Sequence, residues 1–161
     1  MYSFRLTNVI AEDFVNYKKP AMFISTAFCE GKCDNCQNER LRQFGRVKYV
    51  SDNILIRLYL HNTITEAIVF GGLEPFDQID ELDDFLSVFR HDYNRKDDVV
   101  IYTGYTYEEI QDKVERLVSK YDNIIIKFGR FIPNRPSKYD DVLGVRLASD
   151  NQWAKRFTLK C

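Results

Sequence analysis

An α/β fold with a mainly parallel sheet is what this sequence predicts, on three observations. Short apolar runs recur along the chain, stretches of helical spacing separate them, and the least ordinary segments all sit where such runs end. Strands alternating with crossover helices give a parallel sheet with right-handed connections. Chemistry in such sheets gathers at the carboxyl ends of the strands. With 161 residues, 45% of them hydrophobic, the chain suffices for one core and is short for two, so residues 1–161 read as a single domain.

The elements follow in chain order. Ala21 to Ser25 (AMFIS) is a short apolar run that reads as a buried strand feeding a loop. Ser51 to His61 contains ILIRLYL, which suits a strand, but its place between two strands predicts a helix ending near His61. Ala67 to Phe70 (AIVF), Val99 to Tyr102 (VVIY) and Asn123 to Lys127 (NIIIK) are the next strands. Ile79, Leu82, Phe85, Leu86 and Phe89 keep the three- and four-residue spacing of a helix face, and so do Ile110, Val114, Leu117, Val118 and Tyr121. Thr106 and Glu109 form a capping box, in which hydroxyl and carboxylate satisfy free backbone donors of the first turn. The acidic run Asp80 to Asp84 belongs to a solvated helix face, where carboxylates complement the dipole, and carries no chemistry. After Pro133, with Pro136 and Asp140, a loop leads to a predicted hairpin of Leu143–Leu147 and Arg156–Leu159.

Charge and hydropathy narrow the class. A net charge of -1, from 23 basic and 24 acidic residues, makes no field of the kind nucleic acids or anionic membranes select, so neither partner is expected. Ile54 to Leu60 is far below the roughly 20 apolar residues that span a bilayer, and MYSFRLTNVIAEDF lacks an apolar targeting core, so a soluble cytoplasmic protein is expected.

Three of the four cysteines, Cys29, Cys33 and Cys36, fall in a Cys-x3-Cys-x2-Cys loop with Gly31, too crowded for an ordinary disulfide framework. Thiolates are soft ligands that suit iron-sulfur clusters or zinc. Three without a nearby fourth fit a cubane cluster with one open iron, whereas structural zinc wants four ligands. Cys161, His61 or His91 would have to complete such a zinc site, which would make the chain a non-catalytic binding module.

STAFCEGKCDNCQN after a strand, followed by VFGGLEPFDQ, resembles the radical S-adenosylmethionine superfamily, with its cluster motif and its Gly-Gly-Glu-Pro type segment. VVIYTGYTYEEI, IIIKFGRFIPN and RLASDNQ are similar to segments of the anaerobic ribonucleotide reductase activating proteins, in the same order. The resemblance runs from Ala21 over nearly all the rest of the chain. It implies a compact partial (β/α) barrel with a 4Fe-4S cluster on Cys29, Cys33 and Cys36 at the carboxyl ends of the strands. It further implies that the open iron binds S-adenosylmethionine, and that reductive cleavage gives methionine and a 5′-deoxyadenosyl radical. For an activase the substrate is a glycine on a partner, here an anaerobic ribonucleotide reductase, with flavodoxin or ferredoxin as electron donor.

By the same resemblance Gly71, Gly72, Leu73 and Glu74 meet the methionine ammonium, and Arg130 its carboxylate. Thr103, Gly104 and Tyr105 line the adenosyl side, and Asn151 and Gln152 form a late polar element. Each has a plainer reading: a tight turn for the glycines, strand-to-helix punctuation for Thr103–Gly104, a solvated arginine, loop-bonding amides. Phe28 and Phe128 are expected to shield the radical, with core packing as their plainer role. The sequence departs from the pattern in the extra Leu73, in Phe128 at an acidic position, in Gln37 at an often aromatic one, and in lacking an upstream Asn-Gly-Pro-Gly. A stand-alone radical enzyme acting on a small molecule or peptide is the alternative these departures leave.

Overall fold

The computed structural model describes residues 3–31, 33, 36 and 38–159. Four strands, β2 (Ala21–Thr26), β4 (Ala67–Gly72), β5 (Asp98–Tyr102) and β6 (Ile124–Phe128), pair in parallel in that order. Antiparallel strands flank them: β1 (Ser3–Asp13) and then β3 (Lys48–Ser51) beside β2, and β9 (Trp153–Phe157) beside β6. The seven-stranded sheet runs β3-β1-β2-β4-β5-β6-β9 and does not close, which is compatible with a partial barrel.

Alternation along the strands sorts the core. Ile24, Ile68, Phe70, Ile101 and Ile126 face the helices α2 (Asp52–His61), α3 (Ile79–Ser87) and α4 (Gln111–Val118), meeting Leu55, Ile56, Leu82, Phe85, Val114 and Leu117. Phe70 and Phe85 meet edge to face at 5.1 Å, a geometry worth about 1 kcal/mol beyond burial. The other face, Ala21, Ala67, Val69, Val100 and Ile125, is covered by Tyr17, Leu143 and Leu147. Burial on both faces explains why these strands read as unbroken apolar runs. Among the described residues no helix is long and apolar enough to cross a membrane.

The expected strands and crossover helices form within a few residues of their expected bounds, and α3 ends in a π turn, Val88–Asp92, that carries Phe89. The expected hairpin does not form. Residues Val145–Leu147 are β8 and pair with β7 (Lys138–Asp140), while β9 takes the free edge of β6 instead. A turn in which Gln152 N–H bonds Ser149 O, and Ser149 N–H bonds the Gln152 side chain, redirects the chain. Strands β1 and β3 and the short α1 (Glu39–Phe44) were not expected; β1 buries only Phe4, Leu6 and Asp13.

At the amino ends of the strands, Asp98 at the head of β5 accepts from Arg156 Nη1 (2.8 Å) and Nη2 (3.1 Å), Lys19 Nζ (2.9 Å) and the Tyr17 hydroxyl (2.8 Å). Burial alone would raise this carboxyl, yet those donors hold it well below the usual carboxylate range. The clamp ties β9 and the β1–β2 loop to the centre of the sheet.

Candidate functional site

At the opposite, carboxyl end, a cavity of about 440 Å³ is lined by Cys29, Cys33 and Cys36 together with Gly71, Gly72, Leu73, Glu74, Thr103, Gly104, Tyr105, Arg130 and Gln152. Loops after four different strands bring them together, as parallel topology dictates. Asn151 lines an adjoining hollow of about 530 Å³ that shares Cys33 and Arg130 with the first.

The cysteine loop starts where β2 pairing ends. Leu73 N–H bonds Thr26 O (3.1 Å) and Glu74 N–H bonds Phe28 O (2.9 Å), which continues the β2–β4 ladder into the segment before Cys29. A Cβ at Gly31 would stand 3.3 Å from Cys29 Sγ and 4.0 Å from Cys33 Sγ, so two thiols flank a gap that only hydrogen fits comfortably. Asn38 N–H points at Cys36 Sγ (3.4 Å), the kind of bond that tunes an iron-sulfur ligand. Burial pushes the Cys29 thiol up, and the nearby Glu74 and Asp77 carboxylates add to the rise.

Among the described residues no three His, Cys, Asp or Glu side chains gather around a point that would hold a single ion. A structural zinc takes four donors at one point, whereas a cubane takes each thiolate on a different iron, so a set of three cysteines suits a cluster. His61 and His91 close segments leading into the amino ends of β4 and β5, the wrong end of the sheet for these cysteines. Cys161 and Gln37 lie outside the described residues.

Glu74 is 4% exposed and held from three sides. Thr103 Oγ1 (2.8 Å) and Phe76 N–H (3.1 Å) donate to Oε1, and Gly104 N–H (2.9 Å) to Oε2. Burial nevertheless raises its pKa to about 7. The Gly71–Gly72 pair owes much of its character to β2: a Cβ at Gly71 would meet the Phe23 ring at 2.8 Å, and Gly72 has φ +84° with Ser25 Oγ crowding its Cβ position.

Arg130 is partnered already, to Glu109 Oε2 at 2.8 Å, with its guanidinium 5.2 Å from the Tyr105 ring centre and the Cys33 thiol nearby. Asn151 Nδ2 donates to Arg130 O (2.8 Å), and its buried Oδ1 has no partner among the described residues. Gln152 Nε2 donates to Gly129 O (3.1 Å). The shielding expected of Phe28 and Phe128 is not found in the cavity wall. Phe28 stacks under Arg5 at 4.3 Å, and Phe128 packs on Tyr107 and Trp153; Phe23, Tyr102 and Phe131 supply apolar wall instead.

Sequence reasoning missed Lys127. It is 6% exposed, lines the cavity, and donates to Gly129 O at 2.9 Å. Burial lowers its pKa to about 8, against the pull of Glu74. The signal was available, since alternation in IIIKF puts this charge on the same face as Ile125.

A family model described as a 4Fe-4S single cluster domain matches residues 20–152, a span that holds all three cysteines and every wall segment just described from β2 to Gln152. No curated protein matches the chain.

Proposed function

The chain belongs to the 4Fe-4S single cluster domain family, and from that premise we propose that Cys29, Cys33 and Cys36 hold the cluster with one iron open, and that the protein is a radical S-adenosylmethionine enzyme activating a glycyl-radical partner. One observation carries the reading: the three thiols, the Glu74 carboxylate and the Arg130 guanidinium line the same cavity.

When bound, the reduced cluster supplies the electron that cleaves the carbon–sulfur bond of S-adenosylmethionine, giving methionine and a 5′-deoxyadenosyl radical that takes a hydrogen atom from the substrate. The residues of the chain bind and orient. Glu74, immobilised by Thr103, Gly104 and Phe76, offers a fixed anion to an ammonium group, and a cation beside it would draw its pKa back down. Arg130 keeps N–H groups beyond its Glu109 bond and can grip a carboxylate. The unpartnered Asn151 Oδ1 accepts an N–H or O–H from the adenosyl part. Phe23, Tyr102 and Phe131 keep water from the reacting carbon. The cavity lies along an unclosed sheet, so a partner chain is needed to enclose the radical. The proposed partner is an anaerobic ribonucleotide reductase, and flavodoxin or ferredoxin the electron donor.

Anaerobic reconstitution tests the first step. About four irons and four acid-labile sulfides per chain are expected, and Cys33→Ala should lose them. One zinc with no sulfide would end the reading. The reduced protein should convert S-adenosylmethionine to 5′-deoxyadenosine and raise a glycine-centred paramagnetic signal on a cognate reductase. 5′-Deoxyadenosine without that signal on any reductase would shift the assignment to a stand-alone enzyme.

A further inference from the structure

Asp77, the aspartate of the VFGGLEPFDQ segment, sits in the 3₁₀ turn Pro75–Gln78 after β4. Its carboxylate is 1% exposed. Oδ2 accepts the backbone N–H of Glu30, the residue after Cys29, at 2.7 Å, and Oδ1 accepts the Tyr105 hydroxyl at 2.9 Å. One side chain thus joins the cysteine loop, the turn after β4 and the loop after β5. Among the described residues its ion-pair partner is Lys113, which stays 3.9 Å from Oδ1, is 38% exposed, and gives its own hydrogen bond to Phe76 O.

We propose that Asp77 is a positioning residue for Cys29, fixing the cysteine loop through the Glu30 amide and placing a buried negative charge beside the cluster that this cysteine holds. The proposal rests on the cluster reading above. A short charge-assisted bond to the residue after Cys29 helps to fix where the Cys29 side chain points. A fixed anion near an iron-sulfur centre opposes the added electron and lowers the reduction potential, since cluster potentials follow local charge and hydrogen bonding.

Two variants of the full chain separate the anchor from the charge. Asp77→Ala removes both. Asp77→Asn keeps an acceptor for Glu30 and can donate to the Tyr105 oxygen, but is neutral. Hydrogen exchange at the Glu30 amide, measured with and without iron, should speed up about tenfold or more in Asp77→Ala and stay near wild type in Asp77→Asn. Redox titration of the reconstituted protein, followed by paramagnetic resonance, should show the one-electron reduction of Asp77→Asn favoured about tenfold, roughly 59 mV more positive. Wild-type exchange in Asp77→Ala, or a wild-type potential in Asp77→Asn, overturns the proposal. If Asp77→Ala fails to fold, the potential of Asp77→Asn still decides. A wild-type chain that takes up no cluster would instead remove the premise, and the exchange measurement then decides the anchor by itself.

Discussion

Glu74 spends three hydrogen bonds and still has its pKa raised to about 7, because burial outweighs Gly104, Thr103 and Phe76. An ordinary carboxyl near 4.5 in the unfolded chain binds its proton less tightly than this folded one. Stability therefore falls as pH rises from about 4.5, and the loss is complete above about 7. The shift corresponds to a loss on the order of 3 kcal/mol. Urea unfolding of the metal-free chain at pH 5 and pH 8 should show this slope, and Glu74→Gln should flatten it. Gly72→Ala should cost about 2 kcal/mol or more in the same assay, since φ is +84° and the new methyl would run into Ser25 Oγ and Thr26 N. The residue types were legible from the sequence, the crowding behind them only in part. The glycines of GGLEP read as a tight turn or a ligand contact, yet nothing in them says that Phe23 and Ser25 of β2 are what comes close. Lys127 went unread because a charge ending an apolar run looks like a strand terminus until its face is known.

Local devices were read correctly at the level of elements. Thr106 N–H bonds Glu109 Oε2 at 2.8 Å, and Glu109 N–H returns to Thr106 Oγ1 at 3.4 Å, which is the expected box. Thr106→Ala should lower stability by about 1 kcal/mol by thermal unfolding. Because Glu109 also holds Arg130, Glu109→Gln should in addition weaken the proposed S-adenosylmethionine binding, read by calorimetry as a higher Kd with little change in melting temperature. Pairings between segments distant in sequence were another matter. Residues Arg156–Leu159 looked like a hairpin partner for Leu143–Leu147 because they are neighbours in the chain. The winning contacts were the vacant edge of β6 and the Asp98 carboxylate, both contributed by other elements. The first strand was similarly opaque, since only Phe4 and Leu6 of its apolar residues are buried.

Across the molecule the two ends of the parallel strands have divided labour. The Asp98 clamp secures the amino end, and the cavity occupies the carboxyl end about 15 Å away along five-residue strands. Asp98→Ala leaves Arg156 without its carboxylate and should cost about 2–4 kcal/mol near neutral pH. With a folded pKa held below the ordinary value, the contribution is present above about pH 4 and disappears as pH falls below that range. Iron content after reconstitution should be unaffected, which denaturation midpoints and iron analysis on the same samples would check. The parallel arrangement and its functional edge were readable from the alternation of runs, because that pattern leaves few topologies. The margins were not readable, and they have the longer reach. Strand β9 runs against β6, so another βα unit docked at that border would meet a reversed backbone instead of continuing the curve, whereas β3 at the other border has been turned twice and runs with the parallel strands again. On the β9 side the ring cannot be extended by lineal growth. More enclosure there, by descent or by design, has to come through longer loops or from a separate polypeptide.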